Sequence, residues 1–255
     1  MIVFPNCKIN IGLNITEKRG DGFHNLESIF YPLPFSDVLE IIPDKINKQG
    51  NVIFTVSGIP IPGKSEDNLC LKVYRLLEQK HKLPAVRMHL HKIIPTGAGL
   101  GGGSADSAFM LKALNELFEL NFSTQQLVHY AQQLGSDCAF FIANQPVFAF
   151  HKGDEFESLD LDLSLYKIEV SYPNIHIGTA EAYAGITPTP SEINLKEVIQ
   201  QPIENWKNSV KNDFENSIFP NHPEIKNAKE KMYQNGALYA SMTGSGSAVF
   251  GIFRN

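Results

Sequence analysis

The chain is short of cysteine, of positive charge and of long apolar runs, and each shortage removes a class of function. Its three cysteines, Cys7, Cys70 and Cys138, are odd in number and widely spaced. They outline neither a disulfide framework nor a zinc knuckle, and a cytoplasmic, reducing setting is expected. Lys and Arg total 22 against 27 Asp and Glu, a formal charge of -5. A nucleic-acid partner would favour a basic surface, so the expected partner is a small molecule. There is no run of eighteen apolar residues, and no charged segment leading into an apolar one at the N-terminus. Neither a membrane span nor export is predicted. Monomer and homodimer stay equally open.

What is present is a chain of 255 residues, 43% hydrophobic and 19% charged, enough for one large domain or two modest ones. From Asn6 apolar residues alternate with polar ones: Cys7, Ile9, Ile11, Leu13 and Ile15 on one parity, Lys8, Asn10 and Asn14 on the other. Period two predicts a strand with Lys8 and Asn10 side by side on its polar face. Arg19-Gly20-Asp21-Gly22 reads as a turn, followed directly by Phe23 and His24. Further strands are expected at 38–42, 52–56, 86–94, 167–171 and 248–253. Helices are expected behind Asp67 and Asn68, after the glycine run at 97–103, after Ser123 with its capping box to Gln126, and near 193–199 and 224–235. The acidic, polar stretch at 153–164 suggests a boundary between domains at 1–155 and 156–255.

The strongest local signal is Pro95-Thr96-Gly97-Ala98-Gly99-Leu100-Gly101-Gly102-Gly103-Ser104-Ala105. A glycine-dense loop opening into a helix offers backbone N–H groups and a positive dipole end, the features that bind phosphate. Two literal motifs compete with this reading. Gly58 to Ser65 satisfies the P-loop pattern around Lys64, but Pro60 and Pro62 have no N–H to offer a phosphate, which leaves an exposed loop. Gly97, Gly99 and Gly102 satisfy the dinucleotide fingerprint, yet a second helix follows where that motif needs a strand. A second glycine loop, Thr243-Gly244-Ser245-Gly246-Ser247, is a hairpin or another wall of the same pocket. Lys8 is either solvated or lines a cleft, and Asp137, behind Gly135 and Ser136, is either a helix cap or a general base for a hydroxyl. Phe23 and His24 are core-edge packing or a grip for a nucleobase.

These segments resemble the GHMP kinases, the family of galactokinase, homoserine kinase, mevalonate kinase and phosphomevalonate kinase. The likeness is carried by Lys8-Ile9-Asn10, by the Pro95 to Ala108 run and by Met242 to Val249. It implies an α+β chain of two domains, the first like domain 2 of ribosomal protein S5 and the second ferredoxin-like. Pro5 to Asn10, Arg19 to His24 and Leu134 to Asp137 resemble members acting on a cytidine diphosphate-linked methylerythritol in the non-mevalonate route to isoprenoid precursors. The resemblance implies an ATP-dependent kinase with Mg2+ and Lys8 and Asp137 as the catalytic pair. It further implies that Pro95, Thr96, Gly97, Ala98, Gly99, Leu100, Gly101, Gly102, Gly103, Ser104 and Ala105 wrap the ATP phosphates while Asn68 and Lys92 flank the adenine. Asn10, Phe23, His24, Thr179 and Tyr183 would hold the cytidine substrate; the metal ligands are not assigned. Phe23 stands where tyrosine is frequent, Tyr183 where phenylalanine is, and Ala105 where a second serine is common. Another small alcohol as acceptor, a P-loop hydrolase built on Lys64, and a non-catalytic binding module are the alternatives.

Overall fold

A computed structural model describes residues 1–46 and 50–255. Its strands are β1 (Ile2–Val3), β2 (Asn6–Lys18), β3 (His24–Ser36), β4 (Val38–Pro43), β5 (Val52–Gly58), β6 (Val86–Lys92), β7 (Val147–Phe150), β8 (Glu155–Ser158), β9 (Tyr166–Ser171), β10 (Tyr239–Met242) and β11 (Val249–Arg254). The helices are α1 (Leu69–Glu78), α2 (Gly102–Leu117), α3 (Thr124–Gln132), α4 (Phe140–Ala143), α5 (Thr179–Ala184), α6 (Leu195–Val198), α7 (Trp206–Ser209), α8 (Phe214–Ile218) and α9 (Pro223–Gln234). The chain forms two compact units that interleave along the sequence. The first holds Met1–Cys7, Leu33–Thr96 and Gly101–Asn144, and the second Lys8–Pro32, Gly97–Leu100 and Gln145–Asn255.

In the first unit a four-stranded sheet has the order β1-β4-β6-β5. β5 and β6 are parallel, so the chain between them must cross over, and α1 is that crossover. Asn68 caps α1, its side chain accepting the Cys70 N–H. In β6 Val86, Met88, Leu90 and Lys92 are buried while Arg87 and His91 are exposed. This alternation is the pleat's own, and it carries a lysine to the core face. α1 packs on α2, and α3 begins with the expected capping box of Ser123 and Gln126.

The second unit contains the antiparallel sheet β10-β11-β9 and the sheet β2-β3-β7-β8. Its core joins Leu13 and Ile15 of β2 to Ile177, Phe214, Ile218, Ile225, Met242 and Val249. Both parities of β2 are covered: Ile9 and Ile11 are buried, and so are Lys8 and Asn10. Period two places Lys8 and Asn10 on one face, as expected, but that face lies inside the protein. β1, β3, β7, β8 and β10 have no counterpart in the sequence reading. Pro32 and Pro34 interrupt the pattern of β3, and β7, β8 and β10 are four residues each, too short for periodicity to register.

Candidate active site

The glycine loop alternates two kinds of residue. Gly97, Gly99 and Gly101 have φ of 71°, 79° and 71°, while Ala98 and Leu100 between them are 1% exposed. The apolar residues anchor the loop and the glycines turn it. At Gly99 the requirement is also steric, since a Cβ would stand 2.0 Å from the Thr243 carbonyl oxygen. At Gly244, in the second glycine loop, a Cβ would stand 3.1 Å from the Cα and carbonyl oxygen of Gly99, and the Ala248 N–H donates to the Ala98 carbonyl at 3.1 Å. The two glycine loops are therefore in direct contact through residues 97–100, which makes the second loop a wall of this site rather than a free hairpin. Gly101 is the N-cap of the sixteen-residue α2 and lends no side chain to it, and the first turn carries no acidic residue. The first turn brings no carboxylate of its own to the N–H groups and dipole there, which fits a phosphate guest.

Lys8 is buried against this loop. Its Nζ donates to Asn10 Oδ1 at 2.5 Å and to the Gly99 carbonyl at 3.2 Å, and it lies 4.8 Å from the centre of the Phe30 ring. Asn10 is itself engaged: Nδ2 donates to Ser28 Oγ at 2.9 Å, and its backbone N–H donates to Thr243 Oγ1 at 3.0 Å. The Thr243 hydroxyl lies 3.3 Å from Asn10 Oδ1 and 3.2 Å from the Gly99 oxygen, its hydrogen serving these acceptors. Ser28 is absent from the sequence-derived site, and Thr243 has no named role there. Only Thr243 gave a signal, through its place in the second glycine loop.

The residues expected to grip a nucleobase form an aromatic group in the second unit. The His24 ring stacks on Tyr183, centroids 4.6 Å apart and planes inclined by 21°. Tyr183 in turn stands edge-on to Phe214 at 4.9 Å. Phe23 is 59% exposed with the Lys152 ammonium 5.5 Å from its ring centre. Thr179 is the exposed first residue of α5. The rings of His24 and Tyr183 thus come together, with Phe23 next in sequence.

In the first unit Asn68 lines a cavity of about 450 Å³ whose other walls include Phe54, Val56, Ile59, Pro60, Ile61 and Lys64. The segment with P-loop spelling is the exposed loop expected, half-buried only at Ile61, and it also forms a wall of this cavity. It is no phosphate loop, because Lys64 and Ser65 precede the α1 cap and the Ile59 N–H is spent on the Lys92 carbonyl. Lys92 itself points inward and contributes no exposed side chain to an adenine. Its ammonium pairs with Asp37 and, at 2.8 Å, with Asp106 Oδ2. Burial alone would lower this ammonium's pKa, but the two carboxylates outweigh it and raise it. Ser104 is half-buried at the start of α2 and Ala105 fully buried. Asp137, also half-buried, sits on a 3-10 turn, Ser136–Cys138, introduced by Gly135. Asp137 falls in the first unit and Lys8 in the second. All three cysteines are buried, and none of them forms a disulfide among the described residues. No helix among the described residues is long and apolar enough to cross a membrane.

Family models for the GHMP kinases N terminal domain and the GHMP kinases C terminal match residues 68–152 and 194–255. A 4-diphosphocytidyl-2-C-methyl-D-erythritol kinase of Bacteroides fragilis is 52% identical, covering 99% of this chain and 92% of its own. A protein of the same name from Cytophaga hutchinsonii is 50% identical, covering 99% and 92%. Among solved structures, a 4-(cytidine 5'-diphospho)-2C-methyl-D-erythritol kinase superposes with a TM-score of 0.84 at 29% identity, covering 99% of this chain and 90% of the other.

Proposed function

The chain belongs to the GHMP kinase family, and from that membership we propose that it transfers the γ-phosphoryl group of ATP to the 2-hydroxyl of 4-diphosphocytidyl-2-C-methyl-D-erythritol. The relatives carrying that substrate in their names match it over nearly their whole length. The observation that carries the assignment to residues is the buried ammonium of Lys8 bonded to the backbone of the glycine loop. A cation fixed there stands ready for charge developing on a transferring phosphoryl group.

In this reading the Asp137 carboxylate accepts the proton of the 2-hydroxyl as its oxygen bonds to the γ-phosphorus. The bond from that phosphorus to the β,γ-bridging oxygen breaks and ADP leaves. Lys8 stabilises the developing charge, and Asn10 serves the reaction by holding Lys8. The N–H groups at the start of α2, with Gly101 to Ser104, receive the phosphates. The cavity beside Asn68 takes the adenine, and Phe23, His24 and Tyr183 take the cytosine by stacking, with Thr179 at their edge. Among the described residues no group of three or more His, Cys, Asp or Glu side chains is arranged to hold a metal ion. Magnesium would arrive on the ATP phosphates and would neutralise their charge there. Buried cysteines outside any disulfide suit a reducing cytoplasm.

Asp137→Asn is expected to lower kcat by about a hundredfold or more, the scale of a lost general base, with the KM for ATP little changed. Steady-state assays on the cytidine substrate, run beside mevalonate and homoserine, read both the base and the acceptor. Turnover of the variant within a few-fold of the parent would remove Asp137 from the mechanism. Preference for another alcohol would remove the substrate.

A further inference from the structure

Four consecutive residues, Asn212, Asp213, Phe214 and Glu215, tie into the second unit one after another, the first and last both at Met242. The Asn212 side chain is 2% exposed. Its Nδ2 donates to the carbonyls of Met242 at 2.8 Å and Gly244 at 2.9 Å, while its Oδ1 accepts the Phe214 N–H at 3.0 Å. Asp213 Oδ2 accepts the Ile15 N–H of β2 at 2.7 Å. Phe214 offers its ring to the edge of Tyr183. Glu215 Oε1 accepts from Met242 N at 2.9 Å and Ser241 Oγ at 3.1 Å, and its other oxygen pairs with Lys229.

The two carbonyls held by Asn212 flank Thr243 on either side. Thr243 in turn holds Asn10 and faces the Gly99 oxygen, the two acceptors of Lys8 Nζ. We infer that Asn212 is a positioning residue for Lys8, acting through Thr243 on the hydrogen bonds that aim the ammonium. The inference rests on the reading of Lys8 given above. Asn212 touches no reacting group, so its effect is on the geometry of the chemical step. Misplacing a catalytic group by a fraction of an ångström to one ångström slows that step while ground-state binding is largely kept.

Asn212→Asp keeps the shape and turns the donor into an oxygen facing two carbonyl oxygens, while Thr243→Val removes the hydroxyl and Thr243→Ser restores it. The full chain is assayed for kcat, for KM of ATP and of the cytidine substrate, and for melting temperature. Asn212→Asp and Thr243→Val should each lower kcat between about tenfold and a hundredfold, with both KM values within about threefold of the parent. Thr243→Ser should regain most of the loss, and the double variant should be no slower than the slower single one, because the two act in series. Parental kcat in Thr243→Val overturns the inference even if Asn212→Asp does not fold. So does a folded Asn212→Asp at parental kcat, or a double variant whose losses add. Lys8→Met separates the two claims. If Lys8→Met retains turnover, the reading of Lys8 fails and the inference with it; if Lys8→Met is inactive while the Asn212 and Thr243 variants are normal, the inference alone fails.

Discussion

Lys92, Asp37 and Asp106 place one positive charge between two carboxyl groups in the interior of the first unit, and the two acids are not equivalent. Asp37 accepts from Lys92 and from the N–H groups of Ile93 and Ile94. Asp106 has Lys92 on one oxygen, while its Oδ1 is the only buried side-chain nitrogen or oxygen among the described residues without a hydrogen-bond partner. Burial pushes the Asp106 carboxyl up to about 7, against the pull of Lys92 and with Asp37 adding to the rise. The folded protein therefore binds more protons at this position than the unfolded chain between about pH 4 and pH 7, and the group's contribution to stability is lost as pH rises through that window. Asp106→Asn cannot ionise. Its melting temperature relative to the parent should improve from pH 5 to pH 8, by roughly 2–4 °C for each kcal/mol of ionisation cost removed. A difference independent of pH would show that Asp106 carries no such cost. The alternation of Val86, Met88 and Leu90 puts residue 92 on the core face, a signal that the expectation of Lys92 beside an adenine left unused. The partners of Lys92 were not legible, since pairing Asp37 with Asp106 is a long-range contact that no local pattern encodes.

At the level of elements, the glycine loop and the helix after it follow from residue chemistry. Glycine spacing sets where φ turns positive, and Gly101 ends the loop at the N-cap of α2. Gly101→Val would force a β-branched residue to a φ of 71° and displace the turn proposed to receive the phosphates, at a strain of about 1–3 kcal/mol. ATP affinity, measured by calorimetry, should fall about tenfold or more on the scale of 1.4 kcal/mol per decade, whereas Lys64→Ala, altering only a cavity wall, should stay within a few-fold. The reverse order would revive the P-loop spelling at Gly58 to Ser65. Long elements with clear caps, such as α1, α2 and α3, were readable. β3 was hidden by Pro32 and Pro34, and the 212–215 segment looks like any short polar stretch until its four separate partners are seen.

For the whole molecule, the two ends of the proposed reaction belong to different compact units. The cavity with Asn68 lies in the first, and Phe23, His24 and Tyr183 lie in the second. Replacing Phe23 and His24 together with Ala should raise the KM for the cytidine substrate by about tenfold or more, the loss of one to two stacked contacts, and leave the KM for ATP unchanged. Equal rises in both would end the assignment of these rings to the cytosine. A single division near residue 155 is what composition offers, because the acidic stretch at 153–164 is the one marked change along the chain; that the units interleave is a property of strand pairing, which composition does not carry. Interleaving also bears on synthesis. β2 and the first part of β3 emerge from the ribosome early, yet the strands and helices of their own unit are made only after Asn144. Until then Leu13 and Ile15 travel without the Ile177, Phe214, Ile218, Met242 and Val249 that cover them, so the nascent chain exposes adhesive surface for as long as the whole first unit takes to translate.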